Sequence, residues 1–194
     1  SMFDINLIHE ARERINSRIH HTPVLTSRQF NEVAGKEVYF KCENFQRAGA
    51  FKIRGATNKI QSLTAAEKQQ GIVAFSSGNH AQAVALAGRE AGVRVLVAMP
   101  EDAPAAKVAG TRGYGAEVVF YDRHKQDREA FAMDLAERER LIMVPPYDDE
   151  FILAGQGTCG LELMEEVPEL DCVLAPCSGG GLFAGVAIAA KALN

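Results

Sequence analysis

Residues 71–100 read GIVAFSSGNHAQAVALAGREAGVRVLVAMP, and the fold class is decided in this stretch. Ile72–Ser76 is a short apolar run of strand length. Asn79–Ala91 carries apolar residues at helical spacing, and Gly92 supplies the helix stop. Val93–Met99 is a second apolar run, ended by Pro100. A strand, a helix and a strand in this order predict a parallel pair joined by a right-handed crossover.

The same alternation continues in both directions. Towards the C-terminus the spacing predicts a helix over about 104–112, a strand at Ala116–Tyr121, a helix over about 126–139 and a strand at Leu141–Val144. After Pro145 and Pro146 come a helix over about 149–166, a strand at Cys172–Ala175 and a helix at Leu182–Leu193. Towards the N-terminus, about 53–62 reads as a helix and Val38–Cys42 as a strand. Residues 4–19 read as a helix with Ile5, Ile8, Ala11, Ile15 and Ile19 on one face, broken before His21-Thr22-Pro23. The chain is therefore expected to be α/β with parallel sheets. Residues 58–144 hold complete strand–helix repeats and read as a small domain inserted into a larger one made of 1–57 and 145–194. Because the chain stops directly after a strand–glycine-loop–helix unit, the larger domain is expected to be incomplete.

The composition excludes several classes. Of 194 residues, 47% are apolar and 24% charged, an ordinary soluble balance, and the net charge of −4 comes without a basic block. A nucleic-acid partner is not expected. No apolar run approaches the roughly 18 residues that span a membrane, and Ser1–Arg12 is too mixed in charge for a signal peptide. Cys42, Cys159, Cys172 and Cys177 form no C-x-x-C pair and no zinc spacing, so they are expected to be free, buried thiols of a reducing, cytoplasmic protein.

Three segments fall at carboxyl ends of strands or at helix starts, where open parallel sheets collect ligands. Ser178-Gly179-Gly180-Gly181-Leu182 follows an apolar run and opens a helix. Consecutive glycines let backbone amides converge on an anion, and the helix N-terminus adds partial positive charge. The segment also fits G-x-G-x-x-A from Gly179 to Ala184, the weak fingerprint of a nicotinamide-binding oxidoreductase, whose acidic ribose partner would fall beyond Asn194. Ser76-Ser77-Gly78-Asn79-His80 offers hydroxyls, an amide and bare backbone N–H groups to a carboxylate. Ala50-Phe51-Lys52-Ile53-Arg54-Gly55 sets a lysine between apolar residues and near a cation, two effects that lower an amine's pKa and make it nucleophilic. Each segment alone also fits a bland reading: a tight turn, a capped helix, a solvated lysine.

Taken together, Lys41 to Gln46, Phe51 to Ala56, Ser76 to His80, Gly155-Gln156-Gly157-Thr158 and Ser178 to Leu182 resemble the threonine dehydratase/serine racemase family of fold-type II pyridoxal-phosphate enzymes, in order and spacing. The resemblance implies a three-layer parallel-sheet fold and pyridoxal 5'-phosphate as cofactor. It implies that Lys52 holds the cofactor as a Schiff base and then takes the substrate Cα proton. Phe51 would pack against the cofactor ring, Asn79 would bond its hydroxyl, and Ser178, Gly179, Gly180, Gly181 and Leu182 would bind its phosphate. Ser76, Ser77, Asn79 and His80 would hold the substrate carboxylate, with Ser77 as the opposite-face base in racemising relatives. Gly155 and Gly157 would shape the cleft. Ser178 departs from the family, where many relatives have a fourth glycine. The implied activity is deamination of L-threonine or L-serine, with racemisation or a hydroxyaspartate substrate as alternatives; a non-catalytic fragment is a further one. A small-molecule amino acid is the implied partner, with homo-oligomers and a divalent-cation site expected in the full-length protein and no metal ligands in this chain.

Overall fold

The computed structural model describes residues 3–76 and 78–194. The first helix, α1 (Ile5–Ile15), is capped by the Asp4 side chain and buries Ile8, Ala11 and Ile15. It ends a turn before Ile19, so the expected helix over 4–19 is shortened. A hairpin follows, β1 (Val24–Thr26) and β2 (Tyr39–Lys41), antiparallel and spanned by α2 (Arg28–Ala34). Then come α3 (Lys52–Ser62) and α4 (Ala65–Gln70). β1, α2 and α4 were not legible as elements, being three to seven residues long and lacking a full hydrophobic period. In α4 the signal was present as a capping box, Thr64 with Glu67.

The regular alternation follows: β3 (Ile72–Phe75), α5 (Asn79–Glu90), β4 (Val95–Pro100), α6 (Ala105–Gly113), β5 (Glu117–Tyr121), α7 (Arg128–Glu139) and β6 (Ile142–Met143). The four strands form one parallel sheet in the order β5-β4-β3-β6. Both faces are covered. Ile72, Ala74, Val95, Val97 and Met99 pack with α3 and α5, whereas Val73, Phe75, Leu96 and Ala98 face α7. This two-sided burial is why β3 reads as an unbroken apolar run instead of alternating. The α/β, layered parallel-sheet expectation holds.

Two long helices complete the chain, α8 (Glu150–Glu166) and α9 (Gly181–Leu193), and α8 packs against α1, α3 and α9. A Cβ on Gly155 would come within 2.5 Å of Gly55 Cα and 2.6 Å of the Arg54 carbonyl oxygen. Gly155 is thus the crossing point of α8 over α3, and Gly157 faces Ile8 and α9. Neither is among the described residues that line the cleft formed by the three site segments, and their lack of side chains serves helix packing instead.

The expected strand at Cys172–Ala175 is not formed, and among the described residues no neighbouring strand pairs with this segment. The cysteines differ accordingly from their expected burial. All four are free, but Cys172 and Cys177 on this unpaired segment are exposed, Cys42 is half-buried, and only Cys159 in α8 is buried. Burial pushes the Cys159 thiol up to about 12. Among the described residues no helix is long and apolar enough to cross a membrane.

Candidate active site

The three sequence segments meet at one cleft of ≈ 430 Å³, whose lining includes Phe51 and Lys52, Ser76 with Gly78 to His80, and Ser178 to Leu182. They are separated by up to about 130 positions in sequence and are brought together by the ends of β3, α3, α5 and α9. Ser77 lies outside the described residues.

Lys52 is the first residue of α3, the positive end of the helix and an unfavourable place for an ammonium. Burial holds its pKa below the usual amine range. Its Nζ donates to the Pro146 carbonyl oxygen at 2.9 Å and stands 5.5 Å from the centre of the Phe51 ring. Phe51 also packs on the Cys159, Leu182 and Val186 cluster, linking the start of α3 to α9. The expected second cause of a lowered pKa is not found here. Arg54 turns away from Lys52 into a buried ionic cluster.

That cluster lies behind the site. Fully buried Arg54 donates through Nε and Nη2 to the two oxygens of Glu43, at 2.5 and 3.0 Å. Nη2 also reaches Glu162 at 2.5 Å, and Nη1 reaches Thr158 Oγ1 at 3.0 Å. Lys41 Nζ and His21 Nδ1 approach Glu162 at 3.3 and 3.1 Å. The arrangement ties α3 to α8 and to the segment before it, two residues from Lys52. The sequence motif contained Arg54 and Glu43, but nothing in their spacing announced that they pair.

The N-terminus of α5 supplies the second wall. Ser76 Oγ accepts from the Gly78 N–H at 3.0 Å, and the helix has no side-chain cap. Asn79 opens the helix and is exposed to the cleft. His80 is buried, and its Nε2 lies 3.0 Å from the Val144 carbonyl oxygen. A carbonyl accepts only, so Nε2 carries the hydrogen. Burial pushes its pKa down to about 4, with Lys52 nearby acting in the same direction. The imidazole is therefore neutral and turned to the main chain; what His80 offers an incoming carboxylate is its backbone N–H.

The third wall is the glycine loop. α9 starts at Gly181 with Gly180 as cap residue at φ +94, a conformation that suits glycine, and again without a side-chain cap. The side chains of Asp, Ser or Thr cap α1, α2, α4, α7 and α8, whereas α3, α5 and α9, which open onto the cleft, and α6, none of whose residues lines it, have no side-chain cap. At α5 and α9 this leaves the first amides free for a ligand. A primary amine of lowered pKa facing two uncapped helix N-termini can hold an aldehyde covalently while its anionic groups sit on backbone amides. These residues fit pyridoxal phosphate.

The comparisons agree. The model of the family described as "Pyridoxal-phosphate dependent enzyme" matches residues 15–194. The chain belongs to that family. Its relatives include the L-threo-3-hydroxyaspartate ammonia-lyase of Saccharomyces cerevisiae, 49% identical over 95% of this chain and 57% of the relative. The catabolic L-threonine dehydratase of Escherichia coli is 48% identical over 98% of this chain and 58% of its own. Among solved structures, maize serine racemase superposes with a TM-score of 0.95 at 44% identity, covering 98% of this chain and 58% of that one. The chain thus spans a little over half the length of the relatives it matches.

The cleft also holds residues that sequence reading missed: Phe75, Arg128, Pro146, Tyr147 and Pro176. Arg128 begins α7, with its guanidinium carbon 5.8 Å from the centre of the Phe75 ring. Only the double proline, which forbids regular structure, marked 145–147 as unusual.

Proposed function

We propose that this chain forms part of a pyridoxal-phosphate-dependent ammonia-lyase that converts L-threonine or L-serine into a 2-oxo acid and ammonia by α,β-elimination of water. The observation that carries the reading is Lys52, an amine of lowered pKa facing two uncapped helix N-termini. Bound there, the cofactor supplies an electron sink for charge developing at the substrate Cα. Lys52 would hold it through its amine and, as the free amine, would take the Cα proton. The amides of Ser178 to Gly181 receive the phosphate, and Leu182 continues that turn. Ser76, Asn79 and the first amides of α5 receive the substrate carboxylate and orient the Cα–H bond for abstraction. Loss of that proton and of the β-hydroxyl as water gives an enamine, which hydrolyses to the 2-oxo acid and ammonia. Ser77 is the proposed base on the opposite face, which makes serine racemisation the companion activity.

One observation favours a second substrate. Arg128 brings a guanidinium to the cleft, and a β-carboxylate is its natural partner. A 3-hydroxyaspartate would carry one, and a relative is named for that substrate.

The free cysteines suit a reducing cytoplasm, and we place the full-length protein there, as a homo-oligomer with a divalent-cation site formed elsewhere in it. The test is addition of pyridoxal phosphate, borohydride reduction and peptide mapping, followed by turnover of L-threonine, L-serine and threo-3-hydroxyaspartate. A pyridoxyl group on Lys52, absent in Lys52→Ala, supports the reading; labelling elsewhere or none overturns it. Loss of hydroxyaspartate turnover alone in Arg128→Gln would select the second substrate.

A further inference from the structure

We propose that Tyr147 is a positioning residue for the anion-binding loop, a platform that holds the amides of residues 178–181 in their receiving shape. The proposal rests on the cofactor reading above and extends it to a residue outside the family motifs.

Among the described residues, the backbone N–H groups of Ser178, Gly179, Gly180 and Gly181 have no acceptor within the chain. Free amides are what an anion cradle needs, but they leave the loop tied by a backbone hydrogen bond only at its end, where the Gly180 carbonyl accepts from the Ala184 N–H at 2.9 Å. Packing must hold the rest, and the loop packs on Tyr147. A Cβ built on Gly179 would fall among Cγ, Cδ1 and Cε1 of the Tyr147 ring, and one on Gly181 would meet Tyr147 Cβ at 3.3 Å and Cα at 3.4 Å. The ring thus occupies the space a side chain at 179 would need. Gly179 is glycine because Tyr147 is there, whereas Gly180 is glycine because of its φ.

Tyr147 itself is held firmly. Two residues before the prolines' end, the Val144 N–H donates to the Val73 carbonyl at 2.9 Å, anchoring the segment to β3. Pro145 and Pro146 restrict the backbone between. On the other side the Asp149 N–H bonds the Tyr147 carbonyl at 3.0 Å, Asp149 caps α8, and Lys59 pairs with it at 2.5 Å. The same short strap accepts from Lys52 at Pro146 and from His80 at Val144. It therefore holds the amine that takes the aldehyde and the loop that takes the phosphate in one frame.

Ligand binding by the full chain tests this with three probes: pyridoxal phosphate, pyridoxal lacking the phosphate, and inorganic phosphate followed through the amide resonances of residues 179–181. Tyr147→Ala is expected to weaken pyridoxal phosphate and inorganic phosphate at least tenfold while adduct formation between pyridoxal and Lys52 changes less than twofold. Tyr147→Phe should bind as the unaltered chain does, since the ring and not the hydroxyl makes the contact. Gly179→Ala should lose phosphate binding, and adding Tyr147→Gly should restore part of it by vacating the space. Unchanged phosphate binding in Tyr147→Ala overturns the proposal, as does equal weakening of pyridoxal and pyridoxal phosphate, which would mark a general structural loss. If the unaltered chain binds neither phosphate probe, the cradle reading falls, and this inference with it.

Discussion

Lys52 Nζ donates to the carbonyl oxygen of Pro146 at 2.9 Å, across 94 positions of sequence. The bond keeps a partly buried amine directed into the cleft, and burial holds its pKa below the usual range. Competitive amine labelling of the cofactor-free chain across about pH 7 to 11 checks this. The midpoint for Lys52 is expected below the ordinary lysine value of about 10.4. A midpoint at that ordinary value would show that burial does not perturb Lys52.

His80 gives a pH dependence of stability with a definite sign. Its folded pKa, about 4, lies below the ordinary 6.5, so the unfolded chain binds more protons between those values. The contribution is complete above about pH 6.5 and is lost as pH falls towards 4, on the order of 3 kcal/mol in all. Denaturant unfolding across that window should fall more steeply for the unaltered chain than for His80→Gln. Parallel curves would mean that the imidazole charges without penalty.

Arg54→Met removes the cation from two carboxylates that have little access to water. Breaking one side of a buried pair costs about 3–5 kcal/mol, and urea unfolding should show a loss of that size. Adding Glu43→Gln and Glu162→Gln should recover part of it, because no carboxylate is then left buried beside a missing partner. A loss under about 1 kcal/mol in Arg54→Met would indicate that water reaches the cluster.

At Gly155 the Cβ of alanine would collide with the backbone of Arg54 and Gly55, atoms that cannot swing aside. Gly155→Ala should therefore destabilise the chain by at least about 1–3 kcal/mol and, by moving α3, reduce pyridoxyl labelling of Lys52. Gly113→Ala is the control. That glycine ends α6 with open space around it, and alanine there should be neutral or stabilising by up to about 1 kcal/mol. Calorimetry on the two variants separates crowding from any general effect of losing a glycine.

Much of the fold was legible because its signals are local. The runs at 72–75 and 95–100 are apolar on both faces and bounded by Gly and Pro, so strand and crossover helix could be read from a window of thirty residues. The site segments were legible as types of chemistry: a lysine at a helix start, a serine–asparagine turn, a run of glycines. The segment at 172–175 was misread because strand character depends on a neighbour, and no described strand lies beside it.

What the sequence determined by itself was the order of elements and the residue types of the three segments that line the cleft, a lysine at a helix start, a serine–asparagine turn and a run of glycines. Each follows from residue type and spacing within a few turns of backbone. Tertiary structure alone decided that Arg54 pairs with Glu43 and Glu162 instead of lying near Lys52, that His80 turns its ring to Val144, and that Tyr147 underlies Gly179. These are contacts between segments up to 108 positions apart. Burial, steric exclusion and the pairing of buried charge act through space, and no local pattern of residues carries them.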